Sequence, residues 1–386
     1  MRHALLFALA FLAAVTTASA APSPCTDLAA QFDRSAGPVF LASYPGTTVR
    51  ELQGAAFLYD NAAATIALIG CNDLARARRI GDAILFAQDH DRFWHDGRLR
   101  NATLAGPPGK PVKLAGWWDG KLNTWIEDRY QVGSDTGNLA WAMLALLALD
   151  RATHDPRYRA AALRLGAWLE QWRDPRGLGG FTGGVFGHEP KPDVLKWKST
   201  EHNTDLVAGF RALARATGDR RWLADAAAGE AMVRASWTAD CRCFAVGTGL
   251  DGATPNRFLA LDAQIWPLLA LDDTARYRAV LDTMRRRLLR KGGYAYSEAR
   301  NGPWTEGTAQ AALLMSFLHR DAGVLARALA AQRAPGGAYY AAADMAQTTG
   351  FMLDTDPTQP RRYFHIPALA PLAWAALAER RFNPFR

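Results

Sequence analysis

The feature that most constrains this chain is a pattern that occurs six times, in which an apolar helical segment begins directly after a short cluster of polar or aromatic side chains. The clusters are Tyr59-Asp60-Asn61, Ser134-Asp135-Thr136-Gly137-Asn138, Ser199-Thr200-Glu201-His202-Asn203, Leu261-Asp262-Ala263-Gln264, Trp304-Thr305-Glu306-Gly307-Thr308 and Tyr363-Phe364-His365. The segments that follow are apolar on nearly all sides, as buried helices are; they span residues 62–69, 139–149, 206–216, 265–271, 309–318 and 366–377. Such helices must be enclosed by other protein.

Amphipathic segments alternate with these apolar ones, at residues 26–40, 73–88, 156–172, 219–237, 273–290 and 321–332. Each has one charged face, as expected of a helix with one side in water. Most begin at an aspartate suited to capping a helix, namely Asp73, Asp155, Asp219, Asp273 and Asp321. The simplest arrangement is a ring of six buried helices inside a ring of six exposed ones. The sequence therefore predicts an all-α fold, a single (α/α)6 toroid over residues 21–386 with six inner and six outer helices.

In such a ring the inner helices are parallel, so all six polar clusters meet in one cleft. The alternative is that each cluster only caps its own helix, since Asp, Ser, Thr and Asn do so in most proteins. Capping explains less well why Glu201 and Glu306 have His202, Trp197 and Trp304 as neighbours.

Residues 1–20 have the pattern of a secretory signal peptide: Arg2 and His3, an apolar run, and Ala18-Ser19-Ala20 as the cleavage site. This segment is too short to span a membrane, and no later segment stays apolar for the ~20 residues that a membrane helix requires. We therefore predict an exported protein, periplasmic or secreted, with no membrane span. In an oxidising compartment the four cysteines favour two disulfides, Cys25 with Cys71 and Cys241 with Cys243. A zinc site is the weaker alternative.

The chain has 45 Lys and Arg against 37 Asp and Glu, a formal net charge of +8. The arginines are spread over the predicted outer helices without interleaved aromatics, which favours a solvated surface over nucleic-acid binding. The glycine-rich loop around Gly179 and Gly183 lacks the spacing that cradles phosphate. We predict no metal, no organic cofactor and a monomer.

Thirteen tryptophans are the more informative excess. Several lie in predicted cleft loops or at inner-helix entrances, where indole faces suit the C–H faces of sugar rings; core packing is the competing explanation. The predicted substrate-binding residues are Trp117, Trp118, Trp125, Trp197, His202, Asn203, Asp262, Gln264, Trp304 and His365. The predicted partner is a poly- or oligosaccharide.

Glycosidic hydrolysis needs one carboxyl group as acid and another as base or nucleophile. Glu201 is the first candidate for the acid, because Lys198, His202 and Trp197 nearby could exclude water and tune its pKa. Asp135 and Asp60 are the leading bases, and Glu306 competes for either role. Asp205, one turn after Glu201, is alternatively a structural partner of Lys198.

The architecture resembles the six-hairpin glycosidase superfamily of (α/α)6 toroids. The specific motifs are Lys198-Ser199-Thr200-Glu201-His202-Asn203, Leu261-Asp262-Ala263-Gln264 and Trp304-Thr305-Glu306-Gly307-Thr308-Ala309-Gln310. The resemblance implies a hydrolase acting on a glucan, mannan, chitosan or uronide, commonly with inversion. The adjacent Asp-Asp pair of its α-mannanases is missing near the inner-helix starts, since Asp272-Asp273 ends a helix.

Three other functions remain open on the sequence alone. A sugar epimerase on the same toroid uses two histidines, for which His202 and His365 are candidates, although the export signal counts against it. A polysaccharide lyase needs a Tyr or His base, such as Tyr130, Tyr294 or His202. A non-catalytic glycan-binding protein would keep the aromatics without needing paired carboxylates.

Overall fold

A computed structural model describes residues 23–299, 301–353 and 356–386; the predicted signal peptide lies outside these residues. The described part contains twelve α-helices: α1 (Pro24–Ala29), α2 (Leu58–Gly70), α3 (Leu74–Asp89), α4 (Thr136–Thr153), α5 (Pro156–Glu170), α6 (Thr200–Thr217), α7 (Trp222–Ala235), α8 (Asp262–Ala270), α9 (Val280–Arg287), α10 (Thr305–Phe317), α11 (Gly323–Ala330) and α12 (Leu369–Arg380).

Short strands occupy the loops between the helices and pair antiparallel, mostly in twos. They are β1 (Ala55–Phe57), β2 (Ala102–Leu104), β3 (Trp117–Asp119), β4 (Thr124–Ile126), β5 (Ser134–Asp135), β6 (Gly184–Phe186), β7 (Asp193–Leu195), β8 (Trp237–Thr238), β9 (Cys243–Phe244), β10 (Gly247–Thr248), β11 (Pro255–Asn256), β12 (Leu289–Arg290), β13 (Gly293–Tyr294), β14 (Tyr339–Tyr340), β15 (Ala346–Met352), β16 (Pro360–Phe364) and β17 (Pro367–Ala368).

The helices form two concentric rings. Each even-numbered helix contacts the next even-numbered one, and α12 contacts α2, so that these six close a ring. The odd-numbered helices pack outside it, and α1 fills the outer position beside α12 and α2. The predicted (α/α)6 toroid is confirmed.

The middle of the inner ring is filled with large aromatic side chains. Trp141, Trp266 and Trp374 come from three different inner helices and are almost completely buried. Their ring centroids lie 5.4 to 5.9 Å apart. Aromatic pairs at such distances contribute about 0.5–1.5 kcal/mol beyond the area that they bury. These contacts join α4, α8 and α12 across the middle of the ring.

Several helix boundaries differ from the prediction. Asp73 and Asp155 cap α3 and α5 as expected, each accepting a backbone N–H. The first helix ends at Ala29, well before residue 40, and a 3₁₀ turn (Thr274–Tyr277) precedes α9 in place of one continuous helix over 273–290. The last inner helix begins at Leu369 and not at residue 366, because Pro367–Ala368 pairs with Tyr339–Tyr340.

One hydrogen-bonding arrangement recurs at the start of three inner helices. Asn61, Asn203 and Gln264 each accept the N–H and donate to the C=O of one residue in a preceding loop. Those loop residues are Leu41, Phe181 and Phe244. Each amide also donates to the carbonyl four residues earlier. A buried amide used in this way has no N–H left to donate to a ligand, and its oxygen already accepts a backbone N–H. Asn203 and Gln264 therefore attach loops to the ring.

Both predicted disulfides are present. Cys25–Cys71 joins α1 to the end of α2, with Cα atoms 5.7 Å apart. Cys241–Cys243 closes a small loop that reaches β9. Among the described helices, none has the length and apolar character needed to cross a membrane.

Candidate functional site

A cavity of about 530 Å³ lies at the N-terminal ends of the inner helices. All six inner helices contribute first-turn or second-turn residues to its wall, from Tyr59 on α2 to Pro371 on α12. The structure therefore brings together six carboxyl groups that the sequence separates by up to 246 positions, between Asp60 and Glu306. They are Asp60, Asp135, Glu201, Asp205, Asp262 and Glu306.

Glu201 on α6 and Asp262 on α8 form a pair of interacting carboxyl groups at the cavity wall. Burial, and then the negative charge of Asp262, raises the pKa of Glu201 well above its usual range. Burial raises the pKa of Asp262 to about 6, and the hydrogen bond from Ala263 N–H (2.7 Å) opposes that rise. Glu201 therefore keeps its proton to higher pH than Asp262 does.

Asp135 is the N-cap of α4, the inner helix next to α6. It accepts the backbone N–H (2.8 Å) and the side-chain amide (3.1 Å) of Asn138, and its own N–H donates to Asn101 (2.8 Å). These three hydrogen bonds fix the orientation of the Asp135 carboxyl group at the cavity wall.

Asp60 and Glu306 are also buried carboxyl groups with raised pKa values. Burial raises the pKa of Asp60 to about 7, against a hydrogen bond from Ser43. Burial is also the main reason that the pKa of Glu306 rises to about 8, with the charges of Asp60 and Asp262 adding to it. The Tyr59 hydroxyl donates to Oε1 of Glu306 and partly offsets the rise.

Asp205 lies at the floor of the cavity and has 0 % exposed surface. Neither of its carboxyl oxygens has a hydrogen-bond partner, although the indole N–H of Trp141 faces it. Lys198, the partner considered from the sequence, donates instead to the carbonyls of Asp174 and Arg176. Burial and the charge of Asp262 raise the pKa of Asp205 well above its usual range, so that this group keeps its proton to higher pH than an exposed aspartate does.

His202 lines the cavity as predicted. Its Nδ1 accepts the N–H of Gly137 (3.2 Å), and burial lowers its pKa, so the ring is neutral with its hydrogen on Nε2. Trp197 packs edge-on against His202, with centroids 5.3 Å apart, and is outside the cavity wall. Trp304 does line the wall and stacks on Tyr363 at 5.3 Å.

Other predicted binding residues do not line the cavity. His365 stacks on Tyr340 and its Nδ1 bonds the Ala342 carbonyl (2.7 Å). Trp117, Trp118 and Trp125 belong to the β3–β4 hairpin. Trp118 and Trp125 are cross-strand partners that are 58 % and 42 % exposed. The structure therefore separates an enclosed cavity from an exposed aromatic hairpin.

Part of the cavity wall could not be predicted from the sequence. Tyr44, Tyr296 and Arg361 come from loops and from β16, so nothing in their local sequence marks them as cavity residues. Tyr130, considered only as a lyase base, also lines the wall. The sequence marks Tyr59 only as the first residue of the Tyr59-Asp60-Asn61 cluster. The described wall carries eight carboxyl side chains against Arg361 and Arg362, yet no group of metal-ligating residues occurs within the described part of the chain.

The sequence matches no protein-family model, and no curated protein matches it. Several solved structures share its fold over nearly the whole chain. A GH76 alpha-mannanase from Bacteroides thetaiotaomicron is 13% identical with a TM-score of 0.54, covering 94% of this chain and 95% of its own. A wild-type glycosidase is 15% identical with a TM-score of 0.61 and coverages of 94% and 95%. A cellobiose 2-epimerase from Bacillus thermoamylovorans is 10% identical with a TM-score of 0.58 and coverages of 92% and 95%.

Identities this low establish the fold alone. The chain shares the (α/α)6 toroid fold with these structures, which include both glycosidases and a sugar epimerase.

Proposed function

We propose that this protein is an exported glycoside hydrolase, with Glu201 as the general acid and Asp135 as the general base of an inverting reaction. The observation that supports this most directly is the Glu201–Asp262 carboxyl pair at the wall of the cavity. A carboxyl group that stays protonated at neutral pH is what a leaving oxygen requires.

The burial of Glu201 and the fixed orientation of Asp135 suit these roles. Glu201 donates its proton to the glycosidic oxygen as the bond between that oxygen and the anomeric carbon breaks. Asp135 takes a proton from a water molecule that attacks the anomeric carbon from the opposite face. Asp262, ionised beside Glu201, retains the acid's proton until the substrate accepts it. Asp60 remains the alternative base.

The epimerase is a weaker candidate because it needs two histidines. Of the pair considered from the sequence, only His202 reaches the cavity, whereas His365 is engaged by a backbone carbonyl. The lyase needs a readily ionised base. Burial raises the pKa of both Tyr130 and Tyr296 well above the usual range, which makes either phenol a poor base at neutral pH. Tyr294 is not part of the wall.

Export is part of the proposal. The two disulfides support it, because such bonds persist mainly in oxidising compartments. Residues 1–20 also support it, because they have the pattern of a secretory signal peptide.

The decisive experiment compares Glu201→Gln on substrates with poor and with activated leaving groups. Loss of the acid should reduce hydrolysis of natural glycosidic bonds by about 10²–10⁴-fold and that of glycosyl fluorides far less, because only the former need protonation. Glu170→Gln, at the end of the outer helix α5, is the matched control and should leave both rates unchanged. Equal impairment on both substrates would exclude Glu201 as the acid, and retained glycan binding without any hydrolysis by the wild-type protein would favour a binding protein.

Stereochemistry is tested separately. Inversion places the two carboxyl groups about 6.5–9.5 Å apart and retention about 5–5.5 Å. NMR of the first-formed sugar anomer should show the inverted configuration.

A further inference from the structure

Tyr59, Glu306 and Trp374 form a hydrogen-bonded chain across α2, α10 and α12, the three inner helices at which the ring closes. The indole N–H of Trp374 donates to the Tyr59 oxygen (2.7 Å), and the Tyr59 hydroxyl donates to Oε1 of Glu306. A phenol has a single hydrogen. Because its oxygen accepts the indole, that hydrogen is directed at Glu306.

The same contacts determine which oxygen of Glu306 carries its proton. Oε1 accepts both the Tyr59 hydroxyl and the Gln310 amide (3.2 Å). When the carboxyl group is neutral, its hydrogen is therefore on Oε2, the oxygen left free of these donors. Glu306 lines the cavity, and this hydrogen is available to a ligand there.

The Tyr59 ring has little freedom to reorient. Trp141 packs edge-to-face against it, with centroids 5.0 Å apart and planes at 90°, and Trp266 lies 6.2 Å away. A donor held this firmly fixes its acceptor, and loses little entropy when a ligand binds.

We propose that Tyr59 is a positioning residue, which orients Glu306 as a hydrogen-bond donor to an acceptor oxygen of the bound sugar. This inference rests on the proposed function and deepens it, because it gives Glu306 a binding role and leaves proton transfer to Glu201. Nothing in the local sequence distinguishes Tyr59 from a core tyrosine; only the contact with Glu306, 247 positions away, does so.

The groups that face Glu306 give the sign of the expected change. Ionisable groups that interact with Glu306 come from α2, α6, α8 and the loops: Asp60, Glu201, Asp262, Tyr44, Tyr296 and Tyr363. Arg361 and Arg362 line the same cavity. Burial is the main reason that the pKa of Glu306 is about 8; Asp60 and Asp262 raise it further, whereas the hydrogen bond from Tyr59 lowers it. Loss of the Tyr59 hydroxyl should therefore raise this pKa further.

The first test is the pH dependence of kcat/KM for Tyr59→Phe. Neutral Glu306 is required, so activity falls as pH rises through its pKa, and in the variant this alkaline limb should move upward by about one pH unit. KM should increase more than kcat falls, as expected for lost binding. Tyr158→Phe is the matched control: this buried tyrosine of α5 donates to Asp82 in the outer layer, and its removal should leave the limb in place. An unmoved limb in Tyr59→Phe overturns the inference.

The second test separates donation from proton transfer. Glu306→Gln keeps an acceptor toward Tyr59 and a donor on the other side, so it should retain most of the activity and lose the alkaline limb that Glu306 causes. Glu306→Leu should lose activity. If Gln is as inactive as Leu, Glu306 transfers a proton, and the donor role is wrong.

A third measurement needs no activity. The ¹³C-carboxyl NMR signal of Glu306, identified by its absence in Glu306→Gln, should titrate at higher pH in Tyr59→Phe than in the wild-type protein. If the Glu306 signal titrates at higher pH in Tyr59→Phe but the wild-type protein hydrolyses no glycan, the proposed function is wrong and the positioning by Tyr59 still holds. If the protein hydrolyses a glycan but the titration of this signal does not change, the positioning by Tyr59 is wrong and the proposed function still holds.

Discussion

Asp205 is the residue at which burial and charge conflict most clearly. Its carboxyl group is enclosed without a hydrogen-bond partner beside other carboxyl groups. Since burial raises its folded-state pKa above the unfolded value, the folded state binds more protons than the unfolded state above about pH 4, and this group's contribution to stability falls as pH rises. Such a cost is typical of a site whose geometry serves function before stability.

Replacing Asp205 by Asn should therefore stabilise the protein at pH 8, by about 1–3 kcal/mol, and have little effect near pH 4. Urea unfolding at the two pH values measures the difference. Asp251→Asn is a control of opposite sign: the exposed Asp251 accepts hydrogen bonds from Thr254 and Ala253 that lower its pKa to about 2, so its contribution is present above about pH 4 and this variant should lose stability at pH 8. The account would be contradicted if the stability that Asp205→Asn gains over the wild-type protein were smaller at pH 8 than at pH 4.

At the scale of single elements, the β3–β4 hairpin lies beside the cavity and presents two indole rings to solvent. Its second strand ends at Ile126, and Asp128, two residues later, lines the cavity. Two extended residues span at most ~7 Å, so the hairpin begins at the rim. Trp118 and Trp125 occupy one face of it, as cross-strand partners do.

We predict that Trp118→Ala and Trp125→Ala each weaken action on a polysaccharide by roughly fivefold in KM, about 1 kcal/mol of lost aromatic contact. Hydrolysis of a short chromogenic glycoside, which is confined to the cavity, should not change. Leu122→Ala, on an equally exposed side chain of the same hairpin, is the control. Equal losses on both substrates would mean that the hairpin supports the fold and does not bind glycan.

The two disulfides should differ in how much they add to the free energy of unfolding. In the chain-entropy account, a bridge that closes 46 residues stabilises by about 4 kcal/mol and one across a separation of 2 by about 1 kcal/mol. The double replacement Cys25→Ser with Cys71→Ser should therefore lower the free energy of unfolding far more than Cys241→Ser with Cys243→Ser. Thermal or urea unfolding of both proteins checks this, and equal losses would show that strain or packing, not loop closure, dominates.

At the scale of the whole molecule, the outer surface and the cavity differ in their charged groups. The chain is basic overall, at +8, whereas the cavity wall is dominated by carboxyl groups. A carboxylate brought in by a substrate would add a further acidic group to this buried cluster, in which the raised pKa values already show that negative charge is unfavourable.

A polyuronide should therefore be hydrolysed at least tenfold more slowly than its carboxyl-reduced, neutral counterpart, a difference of about 1.4 kcal/mol in transition-state free energy. The two polymers share linkage and shape, so reducing-end release from each isolates the effect of charge. Equal rates would mean that Arg361 and Arg362 neutralise the incoming carboxylate.

The alternation of buried and exposed helices could be predicted from the sequence, because it follows from hydrophobic periodicity, which is local. From this alternation we predicted the twelve helices, the toroid and the convergence of five carboxyl groups on one cavity: Asp60, Asp135, Glu201, Asp262 and Glu306. The disulfide pairs were also predictable, since few cysteines allow few pairings. Helix boundaries were less so, because strand pairing such as that of Pro367–Ala368 overrides local helical preference.

Only the tertiary structure decided what each polar residue does. Asn203 and Gln264 are close to Glu201 and Asp262 in sequence, yet their side-chain amides are hydrogen-bonded to the backbone of loops. Tyr59, in contrast, is hydrogen-bonded to Glu306 and Trp374 where the ring closes. Sequence position fixes the helix and the turn on which a side chain stands. Its hydrogen-bond partners, and with them its protonation state, depend on burial and on neighbours from distant parts of the chain, which exist only once the ring has closed.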